Sequence, residues 1–218
     1  MLLAPFIDHT ILKQTTTQPE VQRLCAEAAQ YGFAAVCIPP VYVATAMGFL
    51  KSSTVKVCTV IGFPFGYHAV SVKLEEARKA VADGADELDL VLNLTALKNG
   101  DLALLENELE TISTFSKAHA KTLKVIIESG ILTDAEIKTC CAICKAFPVN
   151  FLKTSTGFAE RGASVHAVQL MRAQLPSTIA IKASGGIKTA QFAQELLAAG
   201  ATRLGCSASV AIVTEAAS

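Results

Sequence analysis

The feature that most constrains this chain is a rhythm. A short β-branched run, a glycine or polar break and an Ala-rich amphipathic stretch recur at intervals of about 25 residues from one end to the other. Repeated βα units of this kind build a parallel sheet covered by helices. Eight runs read as strands, over 6–9, 34–38, 56–61, 87–92, 124–128, 150–153, 179–183 and 203–205. Helical patterns occupy 19–31, 70–82, 102–118, 134–146, 164–173 and 189–198, with Pro19 in a first turn and Gly32, Gly84 and Gly200 just past three of the ends. Eight strand-to-helix units predict an α/β fold, the (β/α)8 TIM barrel, although 218 residues is short for it. A doubly wound open sheet is the alternative. No Pro/Ser-rich linker or charge block divides the chain, so 1–218 reads as one domain. The first strand starts so close to Met1 that no N-terminal helix is evident to plug the barrel bottom.

Composition removes several function classes. At 51% hydrophobic residues the chain buries a sizeable core and is not disordered. Its 19 basic and 19 acidic side chains cancel, which leaves no charge-driven attraction to nucleic acid or an anionic membrane. Any phosphate must be held locally. No apolar run reaches the roughly 18 residues a membrane span needs, and no basic lead opens onto one, so a cytoplasmic protein is expected. The seven cysteines are an odd set scattered through apolar segments, as reduced thiols acting as small buried hydrophobes. Cys141 and Cys144 are spaced C-x-x-C beside Cys140, but one pair offers two zinc ligands where four are normal, and no metal is assigned.

In a barrel the chemistry sits at the C-terminal ends of the strands. Asn150-Phe151-Leu152-Lys153 closes an apolar strand on a lysine, followed by Thr154, Ser155, Thr156 and Gly157. Period-2 alternation puts Lys153 on the face of Phe151, directed into the barrel mouth, where desolvation favours the amine nucleophile; a lysine snorkelling to the rim is the plainer reading. Lys182 interrupts the next strand, Ile179 to Ala183, in the same way. Two ammonium groups on neighbouring strands disfavour each other's charge, and the one in the more apolar place gives up its proton first. Asp89 shares a face with Glu87, Val91 and Asn93 while three leucines point to the helices, so it needs a cationic partner inside the barrel and is placed for proton transfer or as a plain ion pair.

Three strand-to-helix junctions are glycine-rich: Ser155-Thr156-Gly157, Ser184-Gly185-Gly186 and Gly205-Cys206-Ser207. Such junctions let backbone N–H groups approach an anion, and together they suggest a phosphorylated substrate. Asp8, His9 and Thr10 end the first strand and Cys37 the second, each weak alone. Glu128 ends the fifth and has no assigned role. The run Gly62 to His68 reads as a structured loop.

Taken in order from Ile7 to Ala208, these segments resemble the deoxyribose-phosphate aldolases, class I aldolases with a (β/α)8 fold. The motifs that carry the resemblance are Phe151 to Gly157, Ile181 to Gly186 and Glu87-Leu88-Asp89. It implies reversible cleavage of 2-deoxy-D-ribose 5-phosphate to acetaldehyde and D-glyceraldehyde 3-phosphate, with no metal or organic cofactor and only small sugar phosphates and aldehydes as partners. It implies a Schiff base on Lys153, a second active-site lysine at Lys182 and a proton-relay aspartate at Asp89. Phosphate contacts are implied at Gly157, Gly185, Gly186 and Ser207, and substrate-hydroxyl or pocket positions at Asp8, Thr10, Cys37 and Thr156. There are departures: the sequence ends at Ser218 without a tyrosine brought into the site by some members, Ala208 follows Ser207 in place of a second serine, and Phe158 stands where some members have a lysine. Monomer and homodimer are both left open.

Overall fold

Strand register closes the sheet on itself. In the computed structural model, which describes residues 2–216, the strands are β1 (Ile7–Thr10), β2 (Ala35–Ile38), β3 (Lys56–Ile61), β4 (Glu87–Val91), β5 (Thr122–Ile126), β6 (Phe151–Lys153), β7 (Ala180–Ser184) and β8 (Arg203–Cys206). Each pairs in parallel with the next, and β8 pairs with β1. This is the (β/α)8 barrel, and the open sheet is excluded. The connecting helices are α1 (Gln18–Tyr31), α2 (Val43–Phe49), α3 (Val70–Ala82), α4 (Leu94–Lys98), α5 (Leu102–Ala118), α6 (Asp134–Cys144), α7 (Val165–Gln174), α8 (Ala190–Ala198) and α9 (Ser209–Glu215). Among the described residues, the element ahead of β1 is a single 3-10 turn, Ala4–Phe6. The sequence end at Ser218 falls outside the described residues. No helix among the described residues is long and apolar enough to cross a membrane.

Local chemistry sets the helix ends. Glu20 folds back on the backbone N–H (2.7 Å) and hydroxyl (2.8 Å) of Thr17 to start α1, and Gly32 at φ 70° ends it. Ser164 and Thr189 accept from backbone N–H groups three residues on, at the starts of α7 and α8. Outward-facing strand residues such as Leu88, Leu90, Leu152, Ile181 and Leu204 are fully buried against these helices. Each such side chain contributes about 1.5–3 kcal/mol of burial. Between α3 and α5, Lys73 pairs with Glu108 in full burial and donates to the Val91 carbonyl at 2.8 Å, while Glu108 accepts from the Asn93 N–H at 2.9 Å. That contact fixes the end of β4.

The barrel interior is divided. Inward positions of β2 and β3 are small or apolar: Ala35, Cys37, Cys58 and Val60. The other strands direct Asp8, Glu87, Asp89, Lys124, Lys153, Lys182 and Arg203 inward, where they meet one another. One element corrects the sequence reading. The fifth strand is Thr122–Ile126, two residues earlier than 124–128, because Thr122 pairs with Glu87 and Glu128 leaves the sheet in the left-handed region at φ 51°. The shift preserves the face and puts Lys124 opposite Asp89.

Candidate active site

Asp89 is the hub of the buried charges. Its Oδ2 accepts from Lys153 and from Lys182, both at 2.8 Å, and its Oδ1 from Lys124 at 2.8 Å and from the Cys58 thiol at 3.1 Å. Asp8 takes Lys182 and, at 2.7 Å, Arg203. Glu87 takes Lys124 at 2.6 Å and Arg203 at 3.2 Å. The register explains the meeting: Lys153 is opposite Lys182 on β6 and β7, and Asp89 opposite Lys124 on β4 and β5.

The electrostatics follow from this packing. Burial alone raises the Asp89 carboxyl, but Lys124, Lys153 and Lys182 together hold it well below the usual carboxylate range. Asp8, equally buried, is held down by Lys182, Lys124 and Arg203. Burial works against the charge of Lys182, yet Asp8 and Asp89 keep its ammonium above the ordinary lysine range. Lys182 thus stays charged beside Lys153, with the Asp89 Oδ2 lying between the two amines. Lys153 differs from its neighbours in having, among the described residues, Asp89 as its one ion-pair partner.

Above this layer opens a cavity of about 590 Å³. It follows the arc from β6 through β7 and β8 to β1 and reaches α1. Lys153 lines it, while Lys124 and Lys182 lie beneath. Thr10, Thr156, Gly157, Gly185, Gly186 and Ser207, all singled out by sequence, are on its wall. Asp8 and Cys37 are not: both are fully buried below it, Asp8 within the ion cluster and Cys37 opposite Cys58 on β2 and β3. As groups touching a substrate hydroxyl or lining the pocket they are corrected to positions supporting the floor.

The glycine side of the cavity is built by close backbone approach. Gly157 and Gly185 have φ of 89° and 85°, and a Cβ on Gly185 would lie 3.1 Å from the Cα of Gly162 and 3.4 Å from that of Gly157. Among the described residues, none of the N–H groups of Gly157, Gly185 and Gly186 donates to a protein acceptor. Thr154 and Ser155, two of the three hydroxyls after Lys153, serve the fold: Thr154 Oγ1 accepts from the Ser184 N–H at 3.0 Å, and Ser155 Oγ donates to Thr154 Oγ1 at 3.1 Å. Thr156 is held by Glu128, which accepts from both its hydroxyl and its N–H (3.2 Å). Burial raises the Glu128 carboxyl against those hydrogen bonds. Phe158 meets Phe63 edge-on at 5.2 Å, which ties the Gly62 to His68 loop to the cavity rim.

On the β1 side, Ser209 donates to the Cys206 carbonyl at 2.8 Å, so its oxygen accepts from His9 Nδ1 at 2.9 Å, and His9 Nε2 meets Glu27 at 2.8 Å. Burial lowers the His9 pKa against the pull of Glu27.

Sequence reasoning missed Lys124 and Arg203, although Lys124 gave the same signal as Lys153 and Lys182, one lysine in an apolar strand. It also missed Lys13, Arg23 and Glu27 on the cavity wall, because each belongs to a loop or an amphipathic helix where a charge is ordinary. Two groups of metal-ligating atoms lie within 4.8 Å of one another, Cys37 with Cys58 and Asp89, and Asp8 with Cys58 and Glu87. The Lys124 ammonium, 3.2 Å from Cys58 Sγ and bonded to Asp89, already fills the place of a cation there. All seven cysteines are buried and unpaired.

The model of the DeoC/LacD family of aldolases matches residues 2–212. The chain belongs to that family. A deoxyribose-phosphate aldolase of Thermoanaerobacter sp. (strain X514) is 45% identical over 99% of this chain and 97% of its own length. One of Lactococcus lactis subsp. lactis is 46% identical over 98% and 96%. The solved structure of a tetrameric deoxyribose phosphate aldolase from Aeropyrum pernix superposes with a TM-score of 0.92 at 32% identity, covering 99% of this chain and 91% of that one. In this aldolase the cavity opens at the C-terminal ends of the strands, as barrel enzymes require.

Proposed function

We propose that the chain cleaves 2-deoxy-D-ribose 5-phosphate reversibly to acetaldehyde and D-glyceraldehyde 3-phosphate through an imine on Lys153, in the breakdown of deoxyribose phosphates. The activity is that of a deoxyribose-phosphate aldolase. The observation that carries the assignment of the nucleophile is that Lys153 alone among the lysines around Asp89 lines the cavity.

The Lys153 amine, as free base, adds to the substrate aldehyde, and loss of water gives an iminium. Rupture of the C2–C3 bond sends its electron pair into that iminium and leaves an enamine, while the C3 hydroxyl loses its proton and departs as the aldehyde of glyceraldehyde 3-phosphate. A proton then returns to C2, and water hydrolyses the acetaldehyde imine. Asp89 stays ionised beside the iminium nitrogen and steadies its charge. Lys182, hydrogen-bonded to the same carboxylate oxygen, delivers and recovers protons by way of water in the cavity. The free N–H groups of Gly157, Gly185 and Gly186, with Ser207, hold the phosphate, and Thr156 and Thr10 face the sugar. Binding at that remote end orients the reacting carbons against Lys153. Residues 1–218 act as one aldolase barrel domain. Seven unpaired thiols support a reducing, cytoplasmic setting.

Acetaldehyde with borohydride tests the reading: intact-protein mass spectrometry and peptide mapping should find an ethyl group on Lys153, and Lys153→Ala should lose both adduct and turnover while keeping its fold. A folded Lys153→Ala protein with near-wild-type cleavage would refute it. Absence of any adduct on wild-type Lys153 would point to a phosphate-binding barrel of different chemistry.

A further inference from the structure

The glycine side of the cavity offers a dianion only partial charges. Backbone N–H groups fix its position, but a group carrying close to two negative charges is drawn into a cavity by full cations. Phe158, directly after Gly157, brings none. Apart from Lys153, which is committed to Asp89, and His9, which is held between Ser209 and Glu27, the basic side chains on the cavity wall are Lys13, in the loop after β1, and Arg23, on α1.

Arg23 lies on the stripe of α1 that faces the cavity, three residues after Glu20 and four before Glu27. Those two carboxylates are already engaged, Glu20 in capping α1 through Thr17 and Glu27 on His9. Neither Arg23 nor Lys13 has a hydrogen bond or ion pair among the described residues. Both cations lie close enough to Glu20 to act on its carboxylate, but neither is fixed in a hydrogen bond or ion pair, so each keeps its donors for a ligand in the cavity. The placement is also directional, because Lys153 stands on β6 and α1 follows β1, so the aldehyde-binding amine and the free guanidinium flank the glycine junctions of β6, β7 and β8.

We propose that Arg23, seconded by Lys13, is the specificity-determining cation of this cavity: it pairs with the phosphate of the bound sugar from the α1 side, opposite the backbone amides, and sets the preference for phosphorylated over unphosphorylated 2-deoxyribose. The proposal rests on the aldolase reading above. A guanidinium suits the task because its planar fork meets two phosphate oxygens at once, which an ammonium does not.

The experiment compares kcat/KM for 2-deoxyribose 5-phosphate and for 2-deoxyribose in wild type, Arg23→Ala, Arg23→Lys and Lys13→Ala, with calorimetric titration of inorganic phosphate into each. Arg23 is exposed, so circular dichroism should report wild-type folding in all four. Arg23→Ala should lower the ratio of the two kcat/KM values by roughly ten- to a hundredfold, chiefly through KM for the phosphorylated sugar, and weaken phosphate binding in parallel. Arg23→Lys should restore part of the ratio, and Lys13→Ala should cost less. A ratio and a phosphate affinity unchanged in Arg23→Ala, with wild type active, would overturn this inference and leave the aldolase reading standing. A wild type that cleaves neither sugar would overturn both.

Discussion

A fully buried carboxylate needs company, and Asp89 has three ammonium groups around it. Lys124, Lys153, Lys182 and Arg203 face Asp8, Glu87 and Asp89, so each member is tolerated only because the others are present. Lys124 holds Oδ1 of Asp89 and leaves Oδ2 to the two lysines nearer the cavity. Lys124→Met should cost about 3–5 kcal/mol in urea unfolding, since Glu87 and Asp89 lose a partner they cannot replace in the dry interior. Asp89→Asn should lower kcat by about 10²- to 10⁴-fold, with stopped-flow or coupled assays reading the loss, because the iminium loses its counter-ion and the relay its acceptor. Near-wild-type kcat in a folded Asp89→Asn protein would remove Asp89 from the mechanism. Of this cluster, Asp89, Lys153 and Lys182 were legible because a charge inside an apolar alternating strand is expensive and therefore conspicuous. Lys124 carried the same mark and escaped only because its strand was placed two residues too late. Asp8 and Cys37 are marked in the sequence as strand-end residues, and only the resemblance gives them substrate contact; neither signal says at what depth in the barrel they lie.

At the scale of elements, the glycine junctions work because the loops after β6 and β7 approach each other closely, Gly185 lying against Gly157 and Gly162. Gly185 sits where a methyl group would press on the backbone of Gly162 and Gly157. With φ at 85°, Gly185→Ala should destabilise by about 1–2 kcal/mol and should raise KM for the phosphorylated sugar more than for the unphosphorylated one. Equal KM changes for the two sugars would mean that the junction only supports the fold. Most elements could be read from sequence, with 56–61, 70–82 and 102–118 recovered to the residue as β3, α3 and α5. The helices that escaped, α2, α4 and α9, are 7, 5 and 7 residues long, too short to show a repeating apolar face. The fifth strand was misplaced because Ile126-Ile127-Glu128 continues the apolar run of β5 past the point where register with β4 ends. No period marks that boundary; the turn at Glu128, fastened to Thr156, does.

For the molecule as a whole, the buried charges set how stability varies with pH. Asp8 and Asp89 have carboxyls held below the ordinary range, so their contribution is complete above about pH 3.9 and is lost as pH falls below it. Lys182 is held above its ordinary range, so its contribution is complete below about pH 10.4 and is lost as pH rises further. These groups give a flat stability between the two limits and a fall on the acid side. Chemical denaturation at several pH values should show that fall in wild type and a shallower one in Asp8→Asn; an acid limb unaltered by the substitution would show that Asp8 is not among its causes.

The bonds from Asp8 to Lys182 and Arg203 join residues 174 and 195 positions apart in the chain. A polypeptide still lacking its last strand can form most of its helices and neighbouring strand pairs, but it cannot assemble this centre, because both ends of the sequence contribute to it. Activity thus arrives late, at the moment the ring shuts, and a partly made or partly refolded chain is rich in helix yet without an organised set of charges around its nucleophile.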